Sequence, residues 1–107
     1  PLEEAKGFGV MTVNHEDRVT GFTEKPSDPT PTPNNPDRAL ASMGIYVFNT
    51  DFLYEQLIRD ADSRESSHDF GNDLIPYMVS RYRVMAHRFR NSCISSNEGK
   101  ASRCYWR

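Results

Sequence analysis

Glu24 and Lys25 stand side by side where a strand-like run, "RVTGFTE", meets Pro26. An ammonium is a compact charge suited to a phosphate. A carboxylate accepts hydrogen bonds from the hydroxyls of a polyol, so the pair has the makings of a clamp. Two constraints bear on it. Neighbours on a strand point to opposite faces, so both can serve one site only if the strand twists or ends there. Proline restricts the residue before it, which predicts an extended Lys25. Taken alone, the pair reads as solvated charge at the start of a loop.

Three further groups carry chemistry. Ser42 and Gly44, in "ASMGIYVF", precede an apolar run; they offer a hydroxyl and a close backbone approach for a ligand, or simply a turn and a bulge. "SSHDFGNDLIP" contains Asp69-Phe70-Gly71. The kinase signature of those letters is excluded, because no glycine-rich loop or His-Arg-Asp loop accompanies it and a helical pattern follows at once. Asp69 is then either a helix N-cap or an acceptor for a polyol. His68 beside it does not make a catalytic pair, since adjacent side chains rarely point together. The prolines of "PSDP" and "PNNP" have the spacing of polyproline ligands, but Ser, Asp, Thr and Asn fill the positions between them, as in a rigid surface loop.

The elements that must position these residues follow from the pattern. "KGFGVMTVN" and "RVTGFTEK" read as two strands joined by the polar turn "NHEDR", a hairpin or adjacent pair. Five prolines between Pro26 and Pro36 forbid helix and central strand there. "LASMGIYVFNT", Leu40 to Thr50, is the strongest strand signal, with Ile45 to Phe48 apolar on both faces as for a strand covered from both sides. Thr50 or Asp51 caps a helix over "DFLYEQLIRDAD", with Phe52 or Leu53, Gln56, Leu57 and Ile58 inward. A second helix starts near Asp69, with Leu74, Ile75, Met78 and Val79 inward and Pro76 in its first turns or at a kink. "RVMAHRFR" alternates like a further strand. Strands interleaved with helices predict an α/β fold with a mixed, mostly parallel sheet, in which ligands bind beyond the carboxyl ends of strands. "TEKP" falls at such an end.

Composition narrows the class. The 107 residues allow one domain or part of a larger one, and 36% apolar with 11% aromatic residues is a globular mixture. A net charge of −2 leaves no footprint for nucleic acid or an anionic membrane. Locally, Arg81 to Arg107 carries seven Lys/Arg against one acidic residue, Glu98. It reads as a solvated strand edge and loop before it reads as a phosphate-facing patch. Cys93 and Cys104 fit neither a disulfide framework nor a zinc pattern, and predict free thiols in a reducing cytosol. No run is long enough to span a membrane. An opening Pro1 and a closing "CYWR" suggest a piece of a longer protein.

Together "GFGVMTVN", "FTEKP", "LASMGIYVFNTDFLYE", "SSHDFGNDLIP" and "YWR", in this order, resemble the bacterial glucose-1-phosphate adenylyltransferases, or ADP-glucose pyrophosphorylases. The resemblance runs from about Glu3 to Arg107 and is loosest over "RNSCISSNEGKASRC". It implies a cytoplasmic enzyme making ADP-glucose and pyrophosphate from ATP and α-D-glucose 1-phosphate for glycogen synthesis. It also implies a Rossmann-like (GT-A-like) catalytic domain followed by a β-helix domain, and a homotetramer regulated by metabolites. Residues 1–107 would be the C-terminal half of that catalytic domain. By resemblance, Gly9 lets the backbone approach the sugar, Glu24 accepts from its hydroxyls, Lys25 holds its phosphate and Ser42 bonds the sugar. Tyr46, Asp69, Phe70 and Trp106 would line the pocket. The ATP loop and the ligands of the Mg²⁺ ion would lie outside this segment, so the segment alone is expected to be inactive. A relative using UTP or dTTP, a non-catalytic regulatory subunit that binds sugar phosphate, and an interaction module acting through the proline loop are the alternatives.

Overall fold

The computed structural model describes residues 1–92. Cys93, Cys104, Trp106 and the end of the basic segment lie outside them.

A short helix α1 (Leu2–Ala5) leads into strand β1 (Gly9–Val13), which pairs antiparallel with β2 (Val19–Glu24). The expected hairpin is present. Its turn is built by Asn14, whose Oδ1 accepts from Glu16 N at 2.9 Å and Arg18 N at 3.0 Å, while Asp17 takes a left-handed φ of 58°. A bulge between Thr12 and Val13 shifts the register, so that Gly9 faces Glu24 at one end and Val13 faces Val19 at the other. The loop after Glu24 is irregular, as its prolines require, and is pinned by Thr32, whose N donates to Arg38 O at 2.7 Å and whose Oγ1 donates to Asn35 O at 3.0 Å.

The third strand departs from expectation. β3 is only Leu40–Ala41, antiparallel to the other edge of β1, giving the order β2-β1-β3. Pairing among the described residues is therefore antiparallel throughout, where a mostly parallel sheet was expected. Beyond Ala41, Ser42 N still donates to Gly9 O at 2.7 Å, but among the described residues the run that follows has no strand on either side, and Val47 is 96% exposed. An apolar run becomes a buried strand only where neighbours cover it. "RVMAHRFR" likewise contributes an isolated bridge, Arg18 to Met85, alongside the start of β2. Arg88 clips that edge: its Nε and Nη2 donate to Asp17 Oδ1 at 3.0 and 2.7 Å, and this holds the Asp17 carboxyl below its usual range.

Helix α2 (Thr50–Ala61) is capped one residue earlier than expected, by Asn49 Oδ1, which accepts from Asp51 N at 3.2 Å and Phe52 N at 3.4 Å. Gln56 is buried as expected, but the rest of the inner face differs: Asp60 is buried while Leu57 and Ile58 are exposed. Polar partners explain this. Gln56 Oε1 accepts from Arg59 Nε at 3.3 Å, and Ser66 and His68 return from the following loop to Asp60.

Asp69 caps a π-helical turn, Phe70–Leu74, which continues into α3 (Ile75–Arg81). Pro76 near the start of α3 has no N–H for the carbonyl four residues back and its ring crowds that carbonyl. Opening the preceding turn to i→i+5 spacing, as in Ile75 N to Phe70 O, relieves the clash. The core lies where α3 and the π-turn cover the sheet: Leu74, Ile75 and Met78 are buried with Val10 and Val19, Met78 to 1% exposure. Val79, expected inward, is half-buried. Tyr77 ties α3 to α2, with the Arg59 guanidinium 3.4 Å and the Arg81 guanidinium 4.8 Å from its ring centre. No helix among the described residues is long and apolar enough to cross a membrane.

Candidate functional site

Where β1 begins and β2 ends, a cleft of about 340 Å³ opens between the sheet, the segment after β3 and the start of the π-turn. Its walls include Gly9, Glu24, Ser42, Tyr46, Asp69 and Phe70, six of the eight residues expected from the sequence. Lys25 is not in the wall, and Trp106 lies outside the described residues.

Glu24 enters the cleft because it is the last residue of β2, paired across with Gly9. Its carboxylate threads between two glycines. A methyl group on Gly9 would lie 2.9 Å from Glu24 Oε2 and would collide with the Phe22 ring. One on Gly71 would collide with Glu24 Oε2 and lie 2.8 Å from Glu24 Cδ. The missing side chains are what make room for the carboxylate. Gly71 was not singled out from the sequence, although it is the third letter of the Asp-Phe-Gly motif.

Lys25 corrects the extended conformation expected before proline. Its φ is +43°, in the left-handed region, with its N–H donating to Phe8 O at 3.1 Å. The pre-proline clash disfavours the right-handed helical region, and the anchored N–H leaves this turn as the way off the sheet. The strand thus ends at Glu24, and the objection that neighbours face apart falls away: Lys25 Nζ lies 3.9 Å from Glu24 Oε1. The carboxylate is the sheltered member at 23% exposure and the ammonium the open one at 67%.

Ser42 closes a turn and also lines the cleft. Its Oγ accepts from Gly44 N at 3.1 Å, closing a turn in which Gly44 adopts φ 71°, and it also lies 3.1 Å from the Tyr46 hydroxyl. The Tyr46 ring stacks on Phe70, centroids 5.9 Å apart and planes 22° apart, and Phe48 meets Phe70 edge-on at 6.1 Å. Phe48 was not anticipated as part of this group.

Asp69 is both N-cap and wall. Its Oδ1 accepts from Asn72 N at 2.8 Å, and its own N–H donates to Asp73 Oδ2 at 3.0 Å. Ser67 Oγ donates to the same Asp73 oxygen at 2.6 Å and, as the leading cause, draws the Asp73 carboxyl below its usual range. His68 turns away from Asp69, as adjacency predicted, and its Nδ1 lies 3.0 Å from Asp60 Oδ2 instead.

Two carboxylates, two hydroxyls, an aromatic wall and a lysine beside it supply acceptors, hydroxyl partners, an apolar face and a cation to one cleft. Among the described residues Ser42 Oγ meets a phenol and a backbone amide, neither of which is a base that would activate it as a nucleophile. Among the described residues no group of three or more His, Cys, Asp and Glu stands together where a metal ion could be held.

The family model described as nucleotidyl transferase matches residues 1–107. The chain belongs to the nucleotidyl transferase family. Among curated proteins it is similar to the glucose-1-phosphate adenylyltransferases of Methylobacillus flagellatus (61% identical), Dechloromonas aromatica (60%) and Nitrosospira multiformis (61%). Each match takes in 100% of this chain and 24% of the relative, so the chain spans about a quarter of the length of these relatives.

Proposed function

We propose that residues 1–107 form the sugar-phosphate side of the catalytic domain of a glucose-1-phosphate adenylyltransferase. The whole protein would make ADP-glucose and pyrophosphate from ATP and α-D-glucose 1-phosphate for glycogen synthesis. The observation that carries the reading is the convergence of Gly9, Glu24, Ser42, Tyr46, Asp69 and Phe70, which come from four separate stretches of the sequence, on one cleft. The similarity to glucose-1-phosphate adenylyltransferases supports it.

In this reading Glu24 and Asp69 accept hydrogen bonds from glucose hydroxyls, while Ser42 and Tyr46 bond the sugar and the Tyr46 and Phe70 rings meet its apolar face. Lys25, exposed at the edge, holds the phosphate. The attacking atom is a phosphate oxygen, which is already anionic, so it needs no general base. It forms the new bond to the α-phosphorus of ATP as the bond to pyrophosphate breaks. The contribution of this cleft is placement of that oxygen in line. When bound, Mg²⁺ would neutralise charge on the ATP phosphates; the described residues do not fit it, and its ligands belong to the rest of the protein.

The rest of the protein would also complete a mixed, mostly parallel Rossmann-like sheet, covering the apolar run Ile45 to Phe48. It would bring the ATP loop and a β-helix domain, in a cytoplasmic homotetramer. In the full-length protein, Lys25→Ala should raise the KM for glucose 1-phosphate roughly 10- to 150-fold, the worth of one charge-assisted contact, and leave that for ATP nearly unchanged. An equal rise in both constants removes Lys25 from the sugar-phosphate contact. Absence of glucose-1-phosphate-dependent ADP-glucose formation by the wild-type protein removes the function itself.

A further inference from the structure

His68 occupies a backbone conformation that a residue with a side chain adopts only at a cost, φ 58°. Something must hold it there, and the structure supplies three contacts that end on one carboxylate. His68 Nδ1 lies 3.0 Å from Asp60 Oδ2. His68 N donates to Ser66 Oγ at 3.0 Å, and Ser66 Oγ donates to Asp60 Oδ1 at 2.6 Å. Asp60 is 5% exposed and sits in the last turn of α2, so the anchor is a rigid one. Its carboxyl is held below the usual range first by Ser66 and then by His68.

The next two residues are Asp69 and Phe70, which form one wall of the cleft. Neither Asp60 nor His68 lines that cleft. They border a separate hollow on which Phe70 also lies, with Leu57, Ala61 and Leu74. Phe70 therefore stands between the substrate cleft and the anchored pair.

We propose that Asp60 and His68 are positioning residues for this cleft: clamped to Asp60, His68 is locked in its left-handed turn and thereby fixes where Asp69 and Phe70 stand. Loosening the clamp frees the chain to leave the costly φ, and the Asp69 carboxylate and Phe70 ring move with it. The consequence for catalysis rests on the function proposed above, because it is sugar-phosphate affinity that those two residues would serve.

The test uses the full-length protein and two readouts. In His68→Ala the KM for glucose 1-phosphate should rise about 10-fold, the scale expected of a wall residue displaced by a fraction of an ångström, with the KM for ATP unchanged. His68→Asn, which tolerates the left-handed region, should recover part of the loss. Asp60→Asn should match His68→Ala, and the double variant should be no worse than either single, since both weaken the same His68 Nδ1–Asp60 contact. Should Asp60→Asn fail to fold, the His68 pair of variants decides alone. Amide exchange at Asp69 and Asn72, whose N–H groups are held by Asp73 and Asp69, should quicken in His68→Ala without substrate while exchange in β1 and β2 stays constant. An unchanged KM for glucose 1-phosphate, a parallel rise for ATP, or unaltered exchange at those two amides overturns the proposal. If the wild-type protein shows no turnover of glucose 1-phosphate, the functional reading fails separately and the exchange measurement still decides the clamp.

Discussion

Replacing Gly71 by alanine separates affinity from stability in one substitution. Gly71 is not at positive φ, so its backbone accepts alanine without strain. In a helical turn, alanine is the better residue by up to about 1 kcal/mol. The obstacle is Glu24. A Cβ on Gly71 would fall 2.8 Å from Glu24 Cδ and 3.2 Å from Cγ, where ordinary contact begins at 3.4 Å. The carboxylate must retreat by roughly 0.6 to 1 Å, a cheap motion for the far end of a partly exposed side chain but a large one for a ligand contact. Misplacement of about 1 Å can cost on the order of 100-fold, so the KM for glucose 1-phosphate should rise about 10- to 100-fold in the full-length protein. Its Tm should stay level or rise. In a Glu24→Ala background the same substitution should add nothing, because the displaced group is gone. A KM within about twofold of wild type, or an added loss on top of Glu24→Ala, would refute the placement of Glu24 by Gly71.

Other expectations follow from neighbouring contacts. Tyr46→Phe keeps the stack on Phe70 and loses the hydroxyl near Ser42 Oγ; it should weaken glucose 1-phosphate by about 5-fold, while Phe70→Ala, which removes the stacked ring, should weaken it more. Equal effects would deny the ring its role. Asp17, held below its ordinary 3.8 chiefly by its hydrogen bonds to Arg88, contributes stability that is complete above that value and lost as pH falls through the lower folded value. Wild type should therefore exceed Asp17→Asn in Tm near neutral pH, and the gap should close in acid as the pH falls below 3.8 and the carboxylate is protonated. A gap independent of pH would show that the carboxylate's charge is not what matters.

The parts of this fold that were legible in the sequence are those whose causes are local. Alternation and the Asn14 turn specify the β1–β2 hairpin, and Asp69 is a good N-cap by its chemistry alone. Five prolines leave the 26–36 stretch only a loop. The apolar run from Ile45 to Phe48 failed as a strand because burial on two faces is a property of neighbours, and none flank it among the described residues. On α2 the inward Gln56 was legible, but the burial of Asp60 was not, because its partners Ser66 and His68 lie in a stretch that looks like polar linker. For the site, the residue types were legible early. The grouping was not, since Glu24, Ser42 and Asp69 each had an ordinary reading alone, and two kept it: Ser42 closes a turn and Asp69 caps a helix while both line the cleft. The left-handed Lys25 was unreadable because the proline rule addresses the right-handed helical region and says little of a residue whose N–H is already tethered to Phe8.

The central claim is that glucose 1-phosphate occupies this cleft. Amide hydrogen exchange of the full-length protein with glucose 1-phosphate alone, ATP alone and neither tests it most directly. The sugar phosphate should slow exchange at Gly9, at Ser42 to Tyr46 and at Asp69 to Gly71 together, and ATP alone should leave those three segments as they were. Protection by glucose 1-phosphate elsewhere in the protein, with these segments unchanged, would contradict it.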